Sequence, residues 1–137
     1  MITAVDTNVL LDVFWSDPVF GERSAESLRR CLQQGTLVAC EVVWAELVAA
    51  FPSHSDLRDA METLGVSYSS IEVSAAMAAG DARMEYRNRG GGRDRLLADW
   101  LIRGHALHQA DRLLTRDRGL ARTYLPVIPI IDPSDGP

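Results

Sequence analysis

The stretch Ile2-Thr3-Ala4-Val5-Asp6-Thr7-Asn8 joins a short apolar strand to the start of a helix, with an acidic residue at the junction. Short apolar strands followed by helical segments recur along the chain, a pattern that predicts a parallel sheet covered by helices on both faces. In an open sheet of this kind, ligands bind outside the carboxyl ends of the strands. We therefore expect the Asp6 carboxylate to project from that edge, with Thr7 or Asn8 capping the helix.

The rest of the chain extends this pattern to about five strands. The element order is βα, βαα, βαα, βα, β, and strands are predicted at residues 1–6, 36–40, 66–69, 112–115 and 127–131. The 137 residues, of which 47% are hydrophobic, suffice for one domain with a single core. We expect one three-layer α/β/α sandwich over residues 1–137, with a mostly parallel central sheet and a frayed tail at residues 132–137.

Glycines and capping residues mark the predicted helix ends. Gly35 and Gly65 are expected to end two helices, and Ser55 is a candidate N-cap for the second of them. After residue 72, apolar or small residues recur at helical spacing and predict a long amphipathic helix. They are Val73, Ala76, Met77, Gly80 and Met84.

Three further acidic residues occupy positions comparable to that of Asp6. Glu46 lies on a short apolar helix after the second strand, Asp99 interrupts the apolar helix of residues 96–107, and Asp117 closes the segment that contains the fourth strand. Four carboxylates gathered at one edge would repel one another unless a cation neutralised them. A hard divalent cation with oxygen ligands is the natural candidate, so the sequence predicts a metal site.

Four blocks of sequence resemble the PIN domain family, and more narrowly the VapC ribonuclease toxins of prokaryotic toxin–antitoxin pairs. The resemblance runs over nearly the whole chain, and the blocks stand in the family's order. They are Val5-Asp6-Thr7-Asn8-Val9-Leu10-Leu11-Asp12, Val42-Val43-Trp44-Ala45-Glu46-Leu47, Leu97-Ala98-Asp99-Trp100-Leu101-Ile102-Arg103-Gly104-His105-Ala106 and Leu113-Leu114-Thr115-Arg116-Asp117.

This resemblance implies a PIN-like sandwich that acts as a metal-dependent endoribonuclease. Asp6, Glu46 and Asp99 would be the main ligands of one or two Mg²⁺ or Mn²⁺ ions, and Asp117 would be an outer or water-mediated ligand. The side chains expected to donate hydrogen bonds that orient the carboxylates are Thr7, Asn8 and Thr115.

The resemblance also implies partners. A VapC-type toxin forms a homodimer and binds a small antitoxin of the VapB kind, whose C-terminal arm blocks the acidic cleft. The N-terminus lacks the pattern of a signal peptide, and no apolar run reaches the roughly 18 residues of a membrane span. We therefore expect a cytoplasmic protein with RNA as its substrate and no membrane contact.

The basic residues are unevenly distributed. All 14 cationic side chains are arginines, and ten of them lie within residues 83–122. Arginine binds phosphate through two donors, so this segment is expected to hold the RNA backbone. The alternative is that these arginines lie on solvated helix faces. The candidate RNA-binding residues are Arg93, Arg95, Arg103 and Arg116.

Arg103 departs from the family pattern, in which the position four residues after Asp99 usually carries a small side chain. On a helix its guanidinium can reach either an incoming phosphate or the Asp99 carboxylate. We favour the phosphate contact, because Arg95 and Arg112 already make this half of the chain basic.

The remaining acidic, histidine and cysteine residues are expected to be structural. Asp94 is a candidate N-cap for the helix that contains Asp99, Asp111 stands at the wrong end of the sheet, and Asp12 is expected to face solvent. Glu41 competes with Glu46 but lies outside the family block. The residues expected to be core or surface positions are His54, His105, His108, Cys31 and Cys40.

Two alternative functions remain open. One is a PIN-type nuclease in RNA processing that has no antitoxin, and a neighbouring short open reading frame would distinguish it from a toxin. The other is a non-enzymatic receiver-like domain, which also gathers acidic residues around Mg²⁺ at strand ends. A receiver needs a lysine near its site, and this chain has no lysine.

Overall fold

The computed structural model describes residues 1–92, 96–119 and 128–135. Within these residues the sheet contains five strands, all paired in parallel, in the order β3-β2-β1-β4-β5. The strands are β1 (Ile2–Val5), β2 (Thr36–Ala39), β3 (Val66–Tyr68), β4 (Arg112–Leu114) and β5 (Ile130–Ile131). The α/β fold with a parallel sheet of about five strands is therefore confirmed. Val127, the first residue predicted for the last strand, lies outside the described residues.

Two helices follow each of the first three strands, so the prediction of a single helix after β1 was wrong. The helix predicted between β4 and β5, at residues 118–122, lies mostly outside the described residues. The described helices are α1 (Thr7–Phe14), α2 (Gly21–Gln34), α3 (Glu41–Leu47), α4 (His54–Leu64), α5 (Val73–Asn88) and α6 (Leu97–Gln109), with short 3₁₀ turns at Val48–Ala50 and Pro133–Asp135. In the described part of the chain, no helix combines the length and apolarity needed to cross a bilayer.

The first strand occupies the centre of the sheet. Ala4 is in register with Val38 of β2 on one side and with Leu113 of β4 on the other. Beyond the end of β1, the Asp6 amide donates a hydrogen bond to the Leu114 carbonyl at 2.9 Å. The carboxyl ends of the two central strands therefore meet, and the residues that follow them share one edge.

The main core lies between the sheet and its helices. Fully buried aliphatic side chains from α1, β2, α3 and β4 fill it, so burial of apolar area is the main stabilising contribution. These side chains include Val9, Leu10, Leu37, Leu47, Leu113 and Leu114. Cys31 and Cys40 are buried free thiols, as expected.

Helix α5 does not pack through the face that its large apolar residues were predicted to bury. Val73, Met77 and Met84 are exposed, whereas the small residues of the helix face α6, and these are Ala75, Ala79 and Ala82. A Cβ atom added to Gly104 of α6 would lie 2.9 Å from the Ala75 carbonyl oxygen. The two backbones approach too closely for large side chains, so the small residues form the contact.

Helix ends follow the predictions in part. Gly65 ends α4 in the left-handed region with φ of 77°, and Gly35 ends α2. The N-cap of α4 is Ser53 and not Ser55, because the Ser53 side chain accepts the Asp56 amide. Asp6 itself caps α1, so the expectation that Thr7 or Asn8 would do so was wrong.

The segment of residues 132–135 is anchored, contrary to the expectation of a frayed tail. Pro133 is buried, and the Arg118 guanidinium pairs with the carboxylates of Asp132, at 2.9 Å, and of Asp135. Arg23 of α2 also donates to the Ser134 carbonyl at 3.1 Å. Short polar side chains in the segment satisfy its backbone, which fixes it against α2. Residues 136–137 lie outside the described part of the chain.

Candidate functional site

Asp6 lies at the centre of the acidic edge of the sheet. Its Oδ1 accepts the Thr7 amide at 2.7 Å, and its Oδ2 accepts the Thr115 hydroxyl at 2.7 Å. The residue is only 6% exposed. Burial raises the pKa of the Asp6 carboxyl, although the Arg103 charge and the two hydrogen bonds oppose that shift. Burial therefore disfavours the charged form of this carboxyl group, and the two hydrogen bonds hold it in a fixed orientation.

Thr115 and Asn8 connect the ends of β1 and β4. The Asn8 side-chain amide donates to Thr115 Oγ1 at 3.3 Å and lies 3.5 Å from Asp6 Oδ2. The Asn8 Oδ1 accepts the Arg116 amide at 3.3 Å. These bonds place both polar side chains around the Asp6 carboxylate, where the sequence predicted them. Their effect is to fix the carboxylate against rotation.

Glu46 reaches the same edge from α3. Its Oε1 accepts the Thr7 hydroxyl at 2.6 Å, although the residue is otherwise exposed. Thr7 therefore contacts two acidic residues, because its backbone amide donates to Asp6 and its hydroxyl donates to Glu46. The predicted role of Thr7 in orienting carboxylates agrees with this geometry.

Asp99 lies in the first turn of α6, near Asp6. Its carboxylate accepts the Leu96 amide at 3.3 Å, so it contributes to the start of the helix. After the larger effect of burial, the Asp99 charge adds to the raised pKa of the Asp6 carboxyl. Asp94, the predicted cap of this helix, is outside the described residues, and the helix begins after Leu96.

Arg103 extends from α6 between two of the predicted ligands. Its Nη2 lies 3.6 Å from Asp6 Oδ2 and 3.4 Å from Asp117 Oδ2. It also donates to the backbone carbonyls of Asp99 and Asp117, at 3.3 and 2.9 Å. The side chain is 0% exposed. This geometry favours an internal counterion over the phosphate contact that we expected, because no part of the side chain reaches solvent.

Asp117 follows β4 in a turn. Its amide donates to Thr115 Oγ1 at 3.0 Å, and its own carboxylate accepts the Gly119 amide at 3.2 Å. The carboxylate is 31% exposed, so it forms the more open side of the acidic edge. The alternative role of capping a helix at residues 118–122 concerns residues that are only partly described.

Asp12 was expected to face solvent, and this expectation was wrong. The residue is 4% exposed. Its carboxylate accepts the Ser24 hydroxyl at 2.8 Å and two donors of the Arg116 guanidinium at 2.7 and 2.9 Å. The guanidinium also lies 4.1 Å from the centre of the Phe20 ring. Arg116, a candidate RNA contact, is therefore used to tie the turn after β4 to α1 and α2.

The other two arginines proposed to bind RNA, Arg93 and Arg95, lie outside the described residues. The structural interpretation of the competing acids agrees with their contacts. Glu41 accepts the Ile71 amide at 2.8 Å, and Asp111 accepts the Ile2 amide at 2.6 Å at the opposite end of the sheet. Glu41 is thus bonded to the segment after β3, and Asp111 lies away from the acidic edge.

His105 is buried in α6 and pairs with the Ser69 hydroxyl at 2.9 Å. Burial lowers the pKa of the imidazole, against the opposing charges of Glu41 and Glu72. The neutral form is therefore favoured, and this histidine serves the core, as the sequence suggested.

The acidic edge offers donors of a single chemical type. All its candidate donors are oxygens, which suit Mg²⁺ or Mn²⁺. In the residues that the structure describes, no three acidic, histidine or cysteine side chains are grouped closely enough to hold a metal ion as they stand. Arg103 already lies as a cation between the carboxylates of Asp6 and Asp117.

Comparisons with known proteins agree on the fold. Chains in three solved structures have the same fold as this one. VapBC2 from Rickettsia felis, bound to a promoter DNA fragment, gives a TM-score of 0.73 at 19% identity, covering 96% of this chain and 98% of that one. VapBC-1 from nontypeable Haemophilus influenzae gives 0.73 at 21%, covering 98% and 99%. A toxin–antitoxin complex from Klebsiella pneumoniae gives 0.61 at 24%, covering 96% and 97%.

The sequence comparisons give a more specific result. No curated protein sequence matches the chain significantly. The model of the PIN domain, by contrast, matches residues 3–125, a range that includes Asp6, Glu46, Asp99 and Asp117. Because that match spans most of the 137 residues, the chain belongs to the PIN domain family.

Proposed function

We propose that this protein is a divalent-metal-dependent endoribonuclease and the toxin of a toxin–antitoxin pair. The observation that carries the proposal is the junction of the two central strands, where Thr115 fixes the Asp6 carboxylate at 2.7 Å. Three other acidic side chains reach the same edge from α3, α6 and the turn after β4. Membership of the PIN family and the likeness to VapBC structures support the same function.

Each residue of the edge has a proposed role. Asp6 and Asp99 would be the central ligands of a Mg²⁺ or Mn²⁺ ion. Glu46 would be a further ligand, and Asp117 would be an outer or water-mediated one. When bound, such an ion supplies Lewis-acid activation of water and stabilises charge on the phosphodiester. Thr115 and Thr7 hold the Asp6 and Glu46 carboxylates in place through their hydroxyls. This fixed arrangement lowers the cost of ordering the ligands when the ion binds.

The proposed partners are RNA, a VapB-type antitoxin and a second copy of the chain. They rest on the solved relatives, two of which are described as VapBC and one as a toxin–antitoxin complex. Among the arginines expected to bind the RNA backbone, Arg103 and Arg116 make internal contacts. The proposed phosphate contacts are therefore Arg93 and Arg95. We place the protein in the cytoplasm, where both its substrate and the antitoxin are made.

The direct test is cleavage of total RNA by the purified protein. We expect cleavage with Mg²⁺ or Mn²⁺, its loss when EDTA removes the metal, and its return when excess Mn²⁺ is added. The product of a neighbouring short open reading frame should inhibit the reaction. RNA cleavage that persists in EDTA would contradict the metal requirement, and full activity with that product bound would favour an RNA-processing nuclease without an antitoxin.

Metal binding should also be visible without RNA. Mn²⁺ at about 100 times its Kd stabilises the folded state by about 2.7 kcal/mol, which raises the thermal midpoint by roughly 10 °C for a domain of this size. Asp99→Asn should reduce that shift by more than half, because asparagine keeps the contact with the Leu96 amide but loses the charge. Asp111→Asn, at the opposite end of the sheet, is the matched control. Equal shifts in wild type and Asp99→Asn would place the ion elsewhere.

A further inference from the structure

A small cavity of about 120 Å³ lies between helix α2 and the strands β4 and β5. Polar residues at helical spacing on one face of α2 form one wall, and these are Ser27, Arg30 and Gln34. The opposite wall includes Arg112, the first residue of β4, and Asp132, which follows β5. None of the four acidic residues of the acidic edge lines this cavity. It therefore gathers two guanidinium groups, a hydroxyl and an amide at a separate place.

The hydroxyl group of Ser27 lies at the buried side of the cavity. The residue is 6% exposed, yet among the described residues its hydroxyl has no hydrogen-bond partner. Ser24, the other buried serine of α2, donates to the Asp12 carboxylate at 2.8 Å. Buried hydroxyl groups are nearly always hydrogen-bonded, because leaving one unpaired is costly. The Ser27 hydroxyl is therefore available to a ligand in the cavity.

The two arginines of the cavity also keep donors for a ligand. Arg112 donates from Nε to the Thr3 hydroxyl at 2.8 Å and from Nη2 to the side-chain carbonyl of Gln34, which leaves its Nη1 atom. Arg30 lies 3.8 Å from the Glu26 carboxylate in a largely exposed ion pair. Such pairs contribute little to stability, so the Arg30 guanidinium can turn toward a ligand at small cost.

The Asp132 carboxylate in the cavity wall is neutralised by other groups. Its Oδ2 accepts Arg118 Nε at 2.9 Å, and its Oδ1 accepts the Ser134 amide at 2.8 Å and the Ser134 hydroxyl at 2.5 Å. The carboxylate is only 7% exposed. Two arginines against this one paired carboxylate leave the lining positive, which favours an anion.

The number and type of these donors suit a phosphate group. Arginine binds phosphate through two donors at once, and the hydroxyl and amide of α2 add donors from another direction. A terminal phosphate has three strong acceptor oxygens, whereas a carboxylate has two. The cavity is too small for a whole nucleotide, because sites for larger ligands have volumes of roughly 300–1,000 Å³.

We propose that this cavity binds a single phosphate group through Ser27, Arg30 and Arg112. The group is either inorganic phosphate or the 5′-terminal phosphate of an RNA strand, which present the same chemistry to these donors. The cavity is separate from the acidic edge, so the inference does not depend on the proposed nuclease function.

Calorimetric titration of the full chain with inorganic phosphate in EDTA tests the inference, with chloride at equal ionic strength as the reference. The wild type should bind one phosphate per chain. Ser27→Ala and Arg30→Met should each weaken binding by about tenfold, because each removes a hydrogen bond to a charged group. Arg29→Met is the matched control: Arg29 lies on the same helix, is 66% exposed and pairs with Glu26, so its loss should leave phosphate affinity unchanged.

The thermal midpoint without phosphate shows that the variants remain folded. Ser27→Ala should not lower it, because the hydroxyl that it removes is buried and has no partner among the described residues. Stronger displacement of phosphate by a 5′-phosphorylated oligoribonucleotide than by its 5′-hydroxyl counterpart would identify RNA as the source of the group, and equal displacement would identify free phosphate. Phosphate binding no stronger than that of chloride would overturn the inference. Equal phosphate affinity in the wild type, Ser27→Ala and Arg30→Met would do the same.

Discussion

Asp6→Asn is expected to reduce RNA cleavage by at least about 100-fold, because Asp6 is the best-ordered carboxylate of the proposed metal site. The fold should persist. Asparagine is as good an N-cap as aspartate, so the contact with the Thr7 amide at 2.7 Å can be kept. The substitution therefore removes charge while nearly preserving shape.

The same substitution should not destabilise the metal-free protein at neutral pH. The pKa of Asp6 is raised in the folded state, chiefly by burial. A raised carboxyl pKa means that the folded state binds the proton more tightly than the unfolded state. The resulting stability is present at acid pH and is lost as the pH rises through the folded pKa. Asparagine is neutral at every pH. The variant should therefore be more stable than the wild type at neutral pH, and the two proteins should be equally stable in acid.

Two measurements check this prediction. RNA cleavage is followed with excess Mn²⁺, and the thermal midpoint is measured in EDTA at neutral and acid pH. Asp111→Asn should keep full activity, since that carboxylate binds the Ile2 amide at the other end of the sheet. Cleavage by Asp6→Asn at the wild-type rate would remove Asp6 from the catalytic machinery. A variant that is inactive and also unfolded would show that the carboxylate is needed for the fold.

The sequence was informative where local chemistry decides the structure. Asp6 and Thr115 each follow a short apolar strand, and parallel strands end at the same edge, so their proximity could be predicted. Glycines that end helices were also recognised, since Gly65 adopts a positive φ that other residues avoid. The acidic residues of α3 and α6 could be selected only from the sequence blocks that resemble the PIN domain family, because the pattern of strands does not single them out.

Long-range packing explains what the sequence did not show. The exposed face of α5 carries Met77 and Met84 because the backbones of α5 and α6 approach closely at Gly104. Hydrophobic periodicity records which side chains are apolar and does not record how near the neighbouring helix lies. Arg103 is similar. Spacing placed it one helical turn from Asp99, whereas its carboxylate partners are 97 and 14 positions away in the chain, at Asp6 and Asp117.

Asp12 is the clearest case of a buried polar residue that the sequence presented as exposed. Its carboxylate joins Ser24 of α2 and Arg116 of the turn after β4 to helix α1. The two members of the ion pair lie 104 positions apart. An acidic residue on an amphipathic helix is normally solvated, and only the fold brings these two donors to it. The turn that carries Asp117 is therefore fixed from outside the acidic edge.

Asp12→Ala is expected to lower the free energy of unfolding by about 3 kcal/mol, because it leaves a partly buried guanidinium and a buried hydroxyl without an acceptor. The thermal midpoint should fall by roughly 10 °C for a domain of this size. Urea or thermal unfolding measures the change.

Glu26→Ala removes an exposed carboxylate that pairs with Arg29 and Arg30, and it should change stability by less than about 0.5 kcal/mol. Equal small effects in both variants would mean that Asp12 is solvated, as its sequence position first suggested. A double variant with Arg116→Met should recover part of the loss, because it removes the guanidinium that Asp12→Ala leaves unpaired.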